Sequence, residues 1–337
     1  MFKKKKEVEI YGTDIHSLPV FSEPTTVTLV GNKGQGKTTI ARWLVYKLYC
    51  RFMREGLEKI LFLAVCGTPK LALSWGWMLG KCHGHVLDIE PLDNIARYMD
   101  EKIEGVMCEW MDDNPELDPE EFSVPSDCFS VSIMDDCGRE TSFKNQPIIK
   151  RVSSESRHIG MFHYSLIQNL TQMSTGLRNG TDILLLLESA NEQQLKLIYS
   201  TFLGNVNISF KAFKFLTSKF TNGIGNGIVI YKRAKSNRVQ DRIFWYSHDI
   251  RNKPQKICPY QHEFARRHYV SSANRRRAVK CKEDYADYDI TDEQEDMYSD
   301  INENEPHMLS RYVNETYEDK DIKVHKMPSI QEKEKYD

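Results

Sequence analysis

An α/β fold built on a mostly parallel, doubly wound sheet is predicted by three features of this 337-residue chain. The first is a glycine-rich turn, GNKGQGKT at 31–38, set between a β-branched and apolar run at 25–30 and a stretch free of Gly and Pro at 39–54. The second is the mostly apolar run at 129–134, which ends in Asp135-Asp136. The third is a regular alternation of strand-like and helix-like segments. Parallel strands need crossover connections, and crossover helices cover both faces of the sheet they join.

The elements follow in chain order. Residues 25–30 have the residue types of a buried strand. After the turn, Ile40, Leu44, Leu48 and Phe52 recur every four residues, which predicts a helix over 38–55 with one apolar face. A second strand is expected at 59–65. The segment CGTPKLALSWGWMLGKCHGH at 66–85 mixes Pro, Gly, Trp and His, and it reads as an irregular excursion with Cys82, His83 and His85 incidental. A helix is predicted over 91–112, the Asp135-Asp136 strand at 130–135, and a helix over 146–157. GMFHYSLIQNL at 160–170 reads as a strand, 161–167, ending on Gln168. Arg178 falls in a short Gly-flanked loop before a strand at 182–187, and a helix is expected over 191–203. Two late runs at 227–231 and 242–246, joined by a charged loop, predict an antiparallel hairpin at the sheet edge. Together these make one nucleotide-binding domain over 25–250.

The glycine-rich turn carries specific chemistry. Gly31, Asn32, Lys33, Gly34, Gln35, Gly36, Lys37 and Thr38 fit G-x-x-x-x-G-K-[ST] at every specified position, the P-loop pattern, with Thr39 next. Glycines let consecutive backbone N–H groups turn inward around a polyphosphate. The helix that follows adds the positive end of its dipole. Lys37 is placed to bridge the β- and γ-phosphates of ATP, and Thr38 to put its hydroxyl on Mg²⁺. A carboxylate at the end of a buried strand next to the P-loop supplies the second half of such a site. Asp135 is assigned to the Mg²⁺ shell and Asp136 to polarising the attacking water, with Glu140 as the alternative base. Gln168 ends its strand on the same ligand edge, where it senses the γ-phosphate, orients water, or only caps a loop. Arg178 is either a surface charge or an arginine finger reaching a neighbouring subunit.

Composition bounds the rest. The mean hydropathy is −0.54, and the longest apolar run, 183–187, is far too short to span a bilayer. No apolar stretch follows the basic start at Lys3–Lys6, so no secretory signal is expected in the segment 1–24. Eight scattered cysteines read as free thiols. Of the 46 Lys and Arg and 48 Asp and Glu, 6 and 18 lie in 283–337, leaving 40 basic against 30 acidic in 1–282. The tail is therefore read as a largely disordered acidic segment, and the body as able to face a polyanion. Within 251–282, Cys258, His262, His268 and Cys281 are zinc-ligand types at a spacing that fits no common finger. The seven basic residues of 258–282 (Arg266, Arg267, Arg275, Arg276, Arg277, Lys280 and Lys282) suit DNA contact, an import signal, or a solvated basic helix.

The ordered series GNKGQGKT, IMDDCGRE, SRHIG at 156–160, LIQNL, LRNGTD and IVIY…RIFWYS resembles the FtsK/HerA superfamily, and within it the genome-packaging ATPases of the poxvirus, virophage and polinton-like type. The resemblance runs over 25–247. It implies an ATPase that translocates double-stranded DNA into a capsid, working as a ring of six subunits. It places Gly36, Lys37 and Thr38 on ATP and Mg²⁺, Asp135 and Asp136 as the acid pair, Gln168 as the polar strand end, and Arg178 as a finger in trans. His158 matches a histidine often found there, without a chemical role. The implied partners are duplex DNA, further copies of the chain, and capsid or portal proteins. The implied setting is the host cytoplasm or nucleus at the site of virion assembly, or the virion. Two rival classes share the P-loop: a kinase, and an assembly factor that uses nucleotide without moving DNA. A GTPase is unsupported, because NKPQ at 252–255 lacks the Asp of the guanine-reading motif.

Overall fold

The computed structural model describes residues 8–15, 23–57, 60–80, 83–139, 145–188, 191–251 and 254–257, with two short strands at 318–319 and 322–325. An eleven-stranded sheet runs through it in the order β10-β11-β1-β9-β8-β7-β2-β6-β5-β3-β4. Its strands are β1 (Val8–Gly12), β2 (Thr26–Val30), β3 (Leu61–Cys66), β4 (Gly84–Val86), β5 (Ser130–Asp135), β6 (Met161–Ile167), β7 (Ile183–Leu186), β8 (Asn226–Tyr231), β9 (Ile243–Ser247), β10 (Glu318–Asp319) and β11 (Ile322–His325). The six strands from β4 to β7 in this order are parallel. The expected hairpin is present, with β8 antiparallel to both β7 and β9.

Helices lie on both faces, because the strands are apolar on both. On one face α1 (Lys37–Arg54) and α2 (Pro69–Leu79) cover Val27 and Leu29 of β2, Val131 and Ile133 of β5, and Phe162, Tyr164 and Leu166 of β6. On the other, α3 (Glu90–Asp113), α4 (Pro147–Glu155), α6 (Glu192–Phe202) and α7 (Phe210–Phe220) bury Ile95, Ile149, Ile198 and Phe213 against Val30, Met134 and Ile167. The short α5 (Thr175–Gly180) lies between β6 and β7. Side chains alternate across a sheet, so Asp135 shares the α1–α2 face with Val131 and Ile133.

The Asp135 strand reaches the P-loop without pairing with the P-loop strand, because β6 pairs with both β2 and β5 and lies between them. Three expectations are corrected. The 66–85 excursion contains a regular helix, α2, which starts at the cap Thr68 with Pro69 in its first turn. Its Gly76 packs against β4, where a Cβ at Gly84 would sit 2.3 Å from the Ala72 carbonyl oxygen and 3.3 Å from Gly76 N, while Trp75 is buried and Trp77 is partly exposed beneath Arg42. Arg178 lies in α5, capped by Ser174, rather than in a loop. The sheet also extends past both boundaries of 25–250. β1 joins β9, and the tail strand β11 runs parallel along β1 with Ile10 opposite Val324. Sequence reading treated the tail by its charge. The short β-branched alternation Ile322-Lys-Val-His is a strand pattern that an edge strand with an open side can pair.

Candidate active site

The P-loop connects β2 to α1. Gly34 and Gly36 have φ of 88° and 80°, left-handed conformations that glycine adopts at little cost. Gly36 also packs beneath Ile224 and Ile250, where a Cβ would approach Ile250 Cγ2 to 3.2 Å. The Lys37 ammonium donates to Gly31 O at 2.6 Å and Asn32 O at 2.8 Å, so it lies folded across the loop. Burial lowers its pKa from the ordinary lysine value, opposed by the nearby Asp135 and Asp136 carboxylates. Asn32 N donates to Glu188 O at 3.0 Å, and Gln35 Nε2 donates to the Glu188 carboxylate, which ties the loop to the end of β7.

Opposite the loop, the end of β5 brings up the acidic pair. Thr38 Oγ1 donates to Asp135 Oδ2 at 2.9 Å, across the intervening β6. Trp75 Nε1 donates to the same oxygen at 3.0 Å. Burial pushes the Asp135 carboxyl above its ordinary pKa, and these two donors oppose the push. Asp136 leaves the strand at φ 56°, a left-handed conformation uncommon outside glycine. That turn swings its side chain off the sheet face, where Gln168 Nε2 donates to Oδ1 at 3.1 Å and Oδ2 at 3.2 Å. Gln172, in turn, accepts from the Gln168 and Asn169 amides at 2.8 and 3.1 Å and fixes the end of β6. Lys37, Thr38, Asp135, Asp136 and Gln168 thus converge on one edge of the sheet.

Arg178 does not join them. Its segment enters β7 at the far end of the sheet: Thr181 Oγ1 lies 2.9 Å from Thr28 Oγ1, and Asp182 takes the Thr26 amide at 2.9 Å. The run of β2 from Thr26 to the loop is about 13 Å long at the usual rise per residue. Arg178 Nη2 donates to Thr175 Oγ1 at 3.1 Å, and its Nε is buried with no hydrogen-bond partner among the described residues. Of the other arginines, Arg151 is held by Asp100 at 2.6 Å and Glu155 at 2.9 Å, and Arg157 by Asp182 at 3.4 Å at that same far end. His158 is exposed.

His83 is buried with Nδ1 2.7 Å from Phe62 O, and no His, Cys, Asp or Glu cluster suited to a metal ion occurs among the described residues. Glu140 and the Cys258, His262, His268, Cys281 set lie outside those residues, as does the basic cluster at 266–282. Sequence reading missed Trp75 and Glu188. Glu188 follows the strand beside the P-loop strand, a signal that was available. Nothing in the sequence marks Trp75 as a partner of Asp135.

A parallel sheet with a glycine turn closing on a lysine, a threonine and a strand-end carboxylate defines the class: a P-loop NTPase. Among solved structures, the chain is similar to the genome-packaging NTPase B204 of Sulfolobus turreted icosahedral virus 2 in complex with AMPPCP (13% identity, 67% of this chain and 98% of that one, TM-score 0.41). It is similar also to EssC ATPases 2 and 3 of Geobacillus thermodenitrificans (10%, 73% and 43%, 0.47) and to the pCW3 conjugation coupling protein TcpA (11%, 73% and 68%, 0.44). No protein-family model matches the chain, and no curated protein does. Among the described residues, no helix is long and apolar enough to cross a membrane.

Proposed function

We propose that the chain is an ATP-driven translocase of double-stranded DNA that packages a viral genome. One observation supports this reading: Lys37, Thr38, Asp135, Asp136 and Gln168 meet on the P-loop edge, whereas the candidate finger, Arg178, is hydrogen-bonded to Thr175 and to none of them. An arginine held outside its own site fits a nucleotide held by a neighbouring copy. A ring, six subunits in the reading the motifs imply, supplies that neighbour and a channel for DNA.

Each residue then has a task. The P-loop amides from Gly31 to Thr39 would hold the ATP phosphates, with Lys37 leaving the Gly31 and Asn32 carbonyls for the β- and γ-phosphates. Thr38 and Asp135 would hold Mg²⁺, which supplies charge neutralisation on the phosphates. The glycine cradle and two oxygen donors already 2.9 Å apart support this fit. Asp136 takes the proton of the attacking water, and Gln168, bonded to both its oxygens, orients carboxylate and water together. The grip on DNA is electrostatic and blind to sequence. Capsid or portal proteins are the docking partners, at the site of virion assembly in the host cell. The test is ATP turnover with and without duplex DNA. Stimulation supports the motor; equal turnover returns the chain to an assembly factor or kinase on the same P-loop.

A further inference from the structure

Trp75 sits on the inner face of α2, 0% exposed, with its indole N–H on Asp135 Oδ2. Thr38 donates to the same oxygen, so donors from two different helices fix one carboxylate oxygen and direct the other away. The backbone repeats the link. Gly67, in the turn between β3 and α2, donates its N–H to Asp135 O at 2.8 Å, and a Cβ there would lie 2.2 Å from Asp136 O. On the outer side β4 presses against α2 at Gly84. α2 is therefore clamped to the acidic turn at its start and, through Trp75, along its body. Displacing it moves Asp135.

We infer that Trp75 is a positioning residue for the metal-holding carboxylate, and that α2 is the element that sets that carboxylate's orientation. The inference rests on the nucleotide-site reading above. Thr38 belongs to the phosphate-binding motif itself, in the first turn of α1. Trp75 belongs to the core, so its N–H is the donor whose place the packed fold alone decides.

The experiment uses full-length protein carrying Trp75→Phe or Trp75→Leu. It measures binding of a non-hydrolysable ATP analogue across a Mg²⁺ titration and in EDTA. Trp75→Phe keeps most of the ring volume and removes the donor. The Mg²⁺ concentration at half-effect should rise about tenfold, the size expected for one hydrogen bond to a charged group. Binding in EDTA should be unchanged. Trp75→Leu should give the same Mg²⁺ shift with a lower melting temperature, since a packing role scales with lost volume and a positioning role with the lost donor. An unchanged Mg²⁺ dependence in Trp75→Phe, or an equal loss with and without Mg²⁺, overturns the inference and leaves the nucleotide site standing. Wild-type protein whose analogue binding ignores Mg²⁺ overturns both.

Discussion

Asp136 combines a backbone anomaly with a catalytic assignment, and three substitutions separate the two. Its φ of 56° puts an L-residue in the left-handed region. That conformation costs about 1–2 kcal/mol for a residue with a Cβ. The turn is nonetheless pinned, because the Asp136 amide donates to Leu166 O at 3.0 Å. Asp136→Gly removes the backbone cost and loses the Gln168 hydrogen bonds, worth about 0.5–1.5 kcal/mol on a half-exposed side chain. Its net stability should lie near wild type. Asp136→Ala loses the same bonds and keeps the strain, so it should be about 1–2 kcal/mol less stable than Asp136→Gly, roughly 2–8 °C in melting temperature. Asp136→Asn should stay near wild type, since asparagine tolerates the left-handed region. All three remove the carboxylate, and turnover should fall by about 10²-fold or more in each while nucleotide binding persists. Thermal melts and steady-state ATP hydrolysis decide the matter. A glycine variant no more stable than the alanine variant refutes the strain. Turnover within a few-fold of wild type refutes the base, and an equivalent loss in Glu140→Gln moves that role to Glu140.

The remaining predictions concern the ring, the tail and pH. Arg178→Ala should bind ATP and hydrolyse it poorly, and Lys37→Ala should fail at turnover; mixing the two should restore part of the activity, because an arginine finger contributes about 10³–10⁵ in rate. No recovery in mixtures shown to form joint rings removes Arg178 as a finger in trans. Deleting 283–337 should leave a folded ATPase with higher affinity for duplex DNA, since the deleted segment carries 18 acidic against 6 basic residues. Hydrogen exchange should speed up in β1 alone, which loses β11; uniform acceleration would show that the tail supports the whole domain. Burial lowers the His163 pKa to about 3, with Ser132 Oγ and Ser165 Oγ each 2.8 Å from its ring nitrogens. The unfolded chain then binds the extra proton first. Stability should be full above the ordinary histidine pKa and fall as pH drops from about 6.5 toward 3, by at most about 1.4 kcal/mol per pH unit from this group. His163→Asn should flatten that slope in urea unfolding between pH 6 and 4, and parallel slopes would refute it.

The local parts of this site were legible because each is written in consecutive residues. A glycine turn between an apolar strand and a helix needs no distant contact to be recognised, and the strand-end positions of Asp135 and Gln168 follow from where their apolar runs stop. The alternation of strands and helices likewise determined the class of sheet. Strand order lies beyond such reasoning, because period-2 patterns say which residues share a face and not which strand lies beside which. Only the tertiary structure put β6 between the P-loop strand and the acidic strand, and only it showed Asp135 on the face of α1 and α2. The helix α2 was hidden because its Pro, Gly and Trp residues serve a cap, a close approach to β4 and a buried hydrogen bond, three uses that local propensity reads as irregularity. The tail strand was hidden because net charge describes a segment as a whole, while strand addition needs only a few residues and an open edge. Arg178 shows the division most plainly. Its residue type was visible in the chain, but its place in a short helix whose exit, Asp182, binds Thr26 rather than the P-loop follows from parallel strands, which return to the far end of the sheet before each new one begins.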